Sequence, residues 1–247
     1  MVIFSRFKGK RSRDLALVGY FFLIHLILAI FATNIFSRQG DLKSGGGGSN
    51  SDQYIQRILR YHQWIDEQIP EKSIVFLGDS LTQGLATAAI APNATNFGIG
   101  GQTTSGLLNA IPTYKSVAQA KLIFLEIGIN DFLEESTAGL NDRIKNISAL
   151  LPAETPLVWS SVMPAKTEKY SRRDIAEINS VIRSVCEQRT NCRYLDTWSF
   201  LASADGPMVS QDFLPDGVHL SPEGYRKWIA ALKQAVPRES GEQHRAM

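Results

Sequence analysis

The fold is decided by residues 73–84, SIVFLGDSLTQG, where an apolar, β-branched stretch stops at Gly78 and passes into a turn that carries Ser80. Residues 73–77 are predicted to form a buried strand. Ser80 is the candidate nucleophile. A serine hydroxyl attacks well only when a base takes its proton, a second group orients that base and donors stabilise the oxyanion.

His219 is the candidate base. It follows the turn sequence LPDG, residues 214–217, and precedes a predicted helix that begins at Pro222. Asp216 lies three residues before it and is expected to bond Nδ1, which leaves Nε2 free to take the serine proton. The other three histidines lie in an apolar segment, on an amphipathic stretch and in a polar tail: His25, His62 and His244.

Two further segments, residues 96–104 and 126–131, are strand-to-loop corners where oxyanion donors are expected. Gly101 allows a backbone N–H to approach a ligand closely, and the Asn130 amide supplies a second donor.

These motifs, taken in order, resemble the SGNH hydrolases, also called the GDSL esterase and lipase superfamily. The resemblance covers roughly residues 69–236. It implies Ser80 as nucleophile, His219 as base and then acid, and Asp216 as its orienter. It also implies an oxyanion hole made by the Ser80 and Gly101 N–H groups and the Asn130 side chain. The four blocks are Gly78-Asp79-Ser80-Leu81, Gly101, Gly128-Ile129-Asn130-Asp131 and Asp216-Gly217-Val218-His219.

Two details refine the resemblance. Many members carry Asp after the second-block glycine, where this chain has Gln102, so the local hydrogen bonding is expected to differ. An α/β-hydrolase elbow reads Gly-x-Ser-x-Gly, and Thr82 occupies the final position here, which excludes that neighbouring class.

Strands and helices alternate along the chain, which predicts an α/β fold: a three-layer α/β/α sandwich around a parallel, flavodoxin-like sheet. Strands are predicted over residues 73–77, 94–97, 122–127, 157–162 and 193–195, and helices over residues 51–69, 103–110, 141–151, 172–188 and 222–236.

The N-terminal region predicts a membrane anchor. Residues 1–14 form a basic leader with five basic residues against one acid, and residues 15–36 carry no formal charge. As a helix this apolar run spans roughly 33 Å, enough to cross a bilayer core of about 30 Å. By the positive-inside rule the leader stays in the cytoplasm and the rest is exported, to the periplasmic or cell-surface side in a bacterium. A cleaved signal peptide is the competing interpretation.

Residues 37–50 form a Gly/Ser-rich linker, residues 51–237 the hydrolase domain, and residues 238–247 a polar tail. In the helix predicted over residues 51–69, apolar side chains recur at three- and four-residue spacing. We expect this face to pack on the domain, with a helix lying on the membrane as the alternative. Its members are Tyr54, Ile55, Ile58, Tyr61, His62, Ile65 and Ile69.

Neither nucleic-acid binding nor a metal site is indicated, and no cofactor is expected. The chain has net charge +2, and the leader's +4 leaves −2 for the remainder, so the alkaline pI of about 8.5 reflects topology. Cys186 and Cys192 form either a disulfide, which export permits, or two buried thiols. Oligomeric state is left open.

The expected function is that of a membrane-anchored serine esterase, of lysophospholipase, acylesterase or deacetylase type, which works through an acyl-enzyme. One alternative is an O-acyltransferase, in which the hydroxyl of an envelope glycan replaces water. The other is a non-catalytic envelope binding module, against which the complete set of catalytic residue types argues.

Overall fold

Parallel strands form the centre of the molecule. A computed structural model describes residues 50–134, 136–167, 169–202 and 211–236. Within them a five-stranded parallel sheet has the order β2-β1-β3-β4-β5, and every predicted strand is confirmed to within two residues at each end. The strands are β1 (Ile74–Gly78), β2 (Ala94–Gly98), β3 (Leu122–Glu126), β4 (Leu157–Ser160) and β5 (Cys192–Leu195).

The longer helices match the prediction to within three residues at each end, whereas the four short ones were not predicted. The long helices are α1 (Asn50–Asp66), α3 (Thr104–Ala110), α6 (Leu140–Leu150), α7 (Arg172–Glu187) and α9 (Pro222–Ala235). The short helices are α2 (Ser80–Gln83), α4 (Lys115–Ala118), α5 (Ile129–Leu133) and α8 (Trp198–Leu201). At the start of α9, Ser221 caps the helix by accepting the Gly224 N–H at 3.3 Å, with proline at the first helical position.

The sheet is covered on both faces, which confirms the three-layer sandwich. Alternate side chains of β1 point to opposite faces: Val75 and Leu77 enter one hydrophobic cluster with α3, α6 and α7. Ile74 and Phe76 enter the other, with α9. Burial on both faces explains why these strands read as continuous apolar runs rather than as alternating patterns.

Helix α1 packs on the domain, as expected, with part of the predicted face: His62 is buried and Ile55, Ile58 and Ile69 are half-buried. His62 and Asp66 are buried, and the His62 ring lies 5.1 Å from that of Phe97. The Asp66 carboxylate accepts the N–H groups of Lys115 and Ser116 at the start of α4. Three residues assigned to the packing face, Tyr54, Tyr61 and Ile65, are instead exposed.

Cys186 and Cys192 form a disulfide between the end of α7 and the start of β5, which settles the choice that the sequence left open. The leader 1–14, the apolar run 15–36, linker residues 37–49 and the tail 238–247 lie outside the described residues. Among the residues that are described, no helix combines the length and apolar character needed to cross a bilayer.

Candidate active site

Ser80 stands at the start of α2, directly after β1. Asp79 caps this short helix, because its Oδ1 accepts the Leu81 N–H at 2.9 Å. A glycine is needed at position 78, since a Cβ there would lie 2.2 Å from Oγ1 of Thr82 and 2.3 Å from the Glu126 carbonyl oxygen. The strand therefore turns sharply into the helix and presents Ser80 at the carboxyl edge of the sheet.

The structure brings Ser80, His219 and Asp216 into one hydrogen-bonded chain. Nε2 of His219 lies 3.0 Å from Oγ of Ser80, across 139 residues of sequence. Nδ1 of His219 lies 2.9 Å from Oδ2 of Asp216. A carboxylate on Nδ1 favours the tautomer in which Nε2 is the acceptor, so the geometry is that of a nucleophile, a base and its orienter.

Asp216 is held by the loop that carries His219. Its Oδ1 accepts the N–H groups of Val218 at 2.9 Å and of His219 at 3.0 Å. These backbone bonds, followed by the bond from the imidazole, lower the pKa of Asp216 to about 2. The carboxylate is therefore charged at neutral pH, and its second oxygen stays aimed at the ring.

The predicted oxyanion donors follow two neighbouring strands: Gly101 lies in the turn after β2, and Asn130 in the first turn of α5 after β3. Gly101 has φ +76°, a conformation that side chains rarely adopt, which explains a glycine there. The Asn130 amide donates one N–H to the carbonyl oxygen of Gln102 at 2.9 Å. This bond fixes the plane of the amide and leaves its second N–H for another acceptor. Gln102, the departure from the commonest pattern, thus orients Asn130 through its backbone.

Comparison with known families agrees with this geometry. The profile of the GDSL-like Lipase/Acylhydrolase family matches residues 76–227. The chain belongs to this family of ester hydrolases. It is 25% identical over 182 residues to platelet-activating factor acetylhydrolase IB subunit alpha2 of Bos taurus and of Homo sapiens, over 70% of this chain and 79% of each relative.

Solved structures show the same fold. A GDSL-like lipase from Bacteroides thetaiotaomicron superposes with a TM-score of 0.61 at 22% identity, over 72% of this chain and 96% of that one. A lipase/acylhydrolase from Enterococcus faecalis superposes with a TM-score of 0.57 at 18% identity, over 68% of this chain and 100% of that one. The SGNH hydrolase fold predicted from the motifs is therefore confirmed.

Gln83 is a site residue that the motif analysis did not assign. Its Oε1 accepts the Gly100 N–H at 2.8 Å, and its Nε2 donates to the Tyr54 hydroxyl at 2.9 Å. Gln83 ends the helix that begins at Ser80, so it links the nucleophile's helix to the loop of Gly101. The side chain lies directly after the GDSL motif, but nothing in the sequence indicates its two partners.

A largely buried ion pair ties the third motif block to the two helices beside it, α3 and α6. Asp131 accepts the Thr104 N–H at 2.9 Å and the Thr104 hydroxyl at 2.7 Å. Arg143 reaches Asp131 at 3.0 Å and donates to the Thr104 hydroxyl at 2.7 Å. Asp131 stands in the GIND block without a predicted role, and no local signal marks Arg143. The network holds Asp131, the residue after Asn130, against Thr104 at the start of α3.

Two buried carboxyl groups lie behind the nucleophile. Asp79 is 0% and Glu126 1% exposed, and Glu126 pairs in register with Gly78 across the sheet. Burial raises the pKa of Asp79 to about 7, and burial together with the neighbouring Asp79 raises that of Glu126 well above its ordinary value. Three of their four oxygens have no other hydrogen-bond partner among the described residues. Burial therefore favours the protonated form of these carboxyls, and one proton between them would pair two of the three oxygens.

Proposed function

We propose that this chain is a membrane-anchored serine esterase that cleaves carboxylic esters through an acyl-enzyme on Ser80. The observation that carries the proposal is the chain of hydrogen bonds from Asp216 through His219 to Ser80, at 2.9 and 3.0 Å. Membership in the GDSL-like family supports the reaction class. The basic leader 1–14 and the uncharged run 15–36 support the anchor and an extracytoplasmic catalytic domain.

The proposed reaction follows the bonds of the triad. Ser80 Oγ attacks the ester carbonyl while Nε2 of His219 takes its proton, and the N–H groups of Ser80, Gly101 and Asn130 stabilise the oxyanion. His219 then protonates the departing alkoxide. A water molecule, deprotonated by His219, releases the acid and restores Ser80.

Hydrolysis is favoured over transfer to a glycan by the openness of the base. The His219 side chain is 44% and that of Asp216 48% exposed, so water has direct access to the acyl-enzyme. Transfer enzymes must keep water away from the same intermediate. The relatives named as platelet-activating factor acetylhydrolases support a short acyl group as the first substrate class to examine.

The decisive experiment is labelling of the full-length protein in detergent with a fluorophosphonate, with Ser80→Ala as the control. We expect a covalent adduct on Ser80 and none in the variant. A chain-length series of p-nitrophenyl esters, from acetate to palmitate, then gives the acyl preference. Lack of label on the folded protein would favour the binding module, and acyl transfer to an added glycan in preference to water would favour the transferase.

A further inference from the structure

Helix α1 has an exposed apolar face that the packing of the domain does not use. Four of the seven large apolar side chains that are exposed among the described residues lie on it, and Trp64 is 63% exposed. At 100° per residue they share an arc of about 100°. We call these four side chains, together with the exposed Arg57 between them, the outer face of α1: Tyr54, Arg57, Tyr61, Trp64 and Ile65.

The two aromatic side chains at the centre of the outer face contact each other rather than the domain. The rings of Tyr61 and Trp64 lie 5.4 Å apart in an edge-to-face arrangement. The opposite side of the helix provides the attachment, through buried His62 and Asp66. Apart from Tyr54, which bonds Gln83, the outer face is therefore exposed and available to a partner outside the domain.

The charges beside this apolar face have a single sign. Arg57 lies within the outer face and Arg60 at its edge, and both are exposed. The carboxylates of the helix lie elsewhere: at 100° per residue Asp52 falls on the opposite side of the helix, Asp66 is buried against α4, and the adjoining Glu67 pairs with Lys115 at 2.6 Å. A helix face that combines tryptophan and tyrosine with arginine, and that lacks acidic residues, is typical of a helix lying in the interface of an anionic bilayer.

The position of α1 in the chain also favours a bilayer as the partner of this face. The helix begins at Asn50, where the Gly/Ser-rich linker ends, and the run 15–36 is predicted to cross the membrane. A linker of this length reaches roughly 20 Å as a random coil, so the helix would stay close to the bilayer.

We propose that the outer face of α1 lies on the lipid surface and fixes the orientation of the catalytic domain there. The proposal rests on the proposed membrane anchoring. Tyr54 belongs to the outer face and bonds Gln83, in the helix that begins at Ser80. A bilayer against this face therefore borders the mouth of the active site, and esters embedded in the lipid surface are the substrates best placed to enter it.

The test uses the emission of Trp64 in the full-length protein. The chain is reconstituted into nanodiscs of anionic phospholipid, with and without bromine on the acyl chains, which quenches tryptophan within the bilayer. The other three tryptophans are subtracted with Trp64→Phe. A matched control places the reporter on the opposite layer of the sandwich, as Ala230→Trp in the Trp64→Phe background, because Ala230 is exposed on α9.

We expect brominated lipid to abolish most of the Trp64 emission and to leave the reporter at position 230 unchanged. Equal quenching at the two positions, or none at either, overturns the proposal while leaving the anchor intact. If Trp64 escapes quenching only in discs that hold two chains, a second copy of the chain covers the outer face, and this result also overturns the proposal. A chain that does not remain in the discs refutes the anchor as well.

Discussion

Replacement of Glu126 by glutamine should change how the stability of the domain depends on pH. In the folded state Asp79 and Glu126 are buried together, and the pKa of each is raised. In the unfolded chain both ionise near pH 4. Between pH 5 and 7 the folded state therefore binds at least one proton that the unfolded state has released. The free energy of unfolding falls as pH rises, by at least about 1.4 kcal/mol per pH unit for this pair.

A second buried group opposes this slope. Burial lowers the pKa of His62 to about 4, so between pH 4 and 6.5 the unfolded state binds the proton and the folded state does not. This group makes stability rise with pH, also by about 1.4 kcal/mol per unit. The wild-type curve should consequently fall less steeply below about pH 6.5 than just above it, because the opposing contribution of His62 ends there and only that of the carboxyl pair remains.

The comparison of wild type with Glu126→Gln isolates the proton bound by Glu126, because Asp79 stays buried and titrates in both proteins. Because the amide does not titrate, the free energy of unfolding of wild type minus that of the variant should fall by about 3 kcal/mol from pH 5 to pH 7. Urea unfolding of the fragment 50–247, followed by emission of the buried Trp159 and Trp228, measures this difference. His62→Gln is the complementary control, whose own curve should fall across the whole range. A difference between wild type and Glu126→Gln that does not vary with pH would refute the raised pKa of Glu126.

Three further predictions concern contacts that hold the site and the sheet. Gln83→Ala removes an acceptor from the oxyanion loop and should lower kcat on p-nitrophenyl acetate about tenfold with little change in KM, whereas Gln83→Glu, which keeps an acceptor, should restore much of it. Arg143→Met leaves the Asp131 carboxylate buried without its cation and should lower the urea-derived free energy of unfolding by about 3 kcal/mol. Alanine at both Cys186 and Cys192 should lower the same quantity by about 2 kcal/mol, since the closed loop is short.

The sequence predicted the strands of the sheet and the contact of Asp216 with His219 well because each depends on local chemistry. Apolar runs that stop at a glycine or before a turn mark the carboxyl ends of β1 and β3, and Asp216 orients His219 within a single turn. Each motif contains its own structural reason. The remaining step, which brings Ser80 to His219 across 139 residues, follows from the family resemblance rather than from any local pattern.

The sequence failed where a polar group finds its partner far along the chain. In α1, apolar spacing placed Tyr61 and Ile65 on the packing face, whereas the buried position belongs to Asp66. Its carboxylate caps α4, 49 and 50 residues away, and this compensation for burial has no local signature. A prediction from amphipathic spacing assumes that charged side chains face water. It therefore misplaces part of the buried face of a helix when a hydrogen-bonded carboxylate is buried.

The acidic pair behind Ser80 follows from the same strand register that assembles the site. Gly78 pairs with both Gly98 and Glu126, so the loops after β1, β2 and β3 leave the sheet at one level and their functional groups meet. That register also places Glu126, the last residue of β3, beside Asp79, which caps α2. Both positions are enclosed by the two layers of helices, so neither carboxyl reaches water. Because burial raises the pKa of both Asp79 and Glu126 and favours their protonated forms, the two acids can be buried beside the nucleophile with less charge than the sequence suggests.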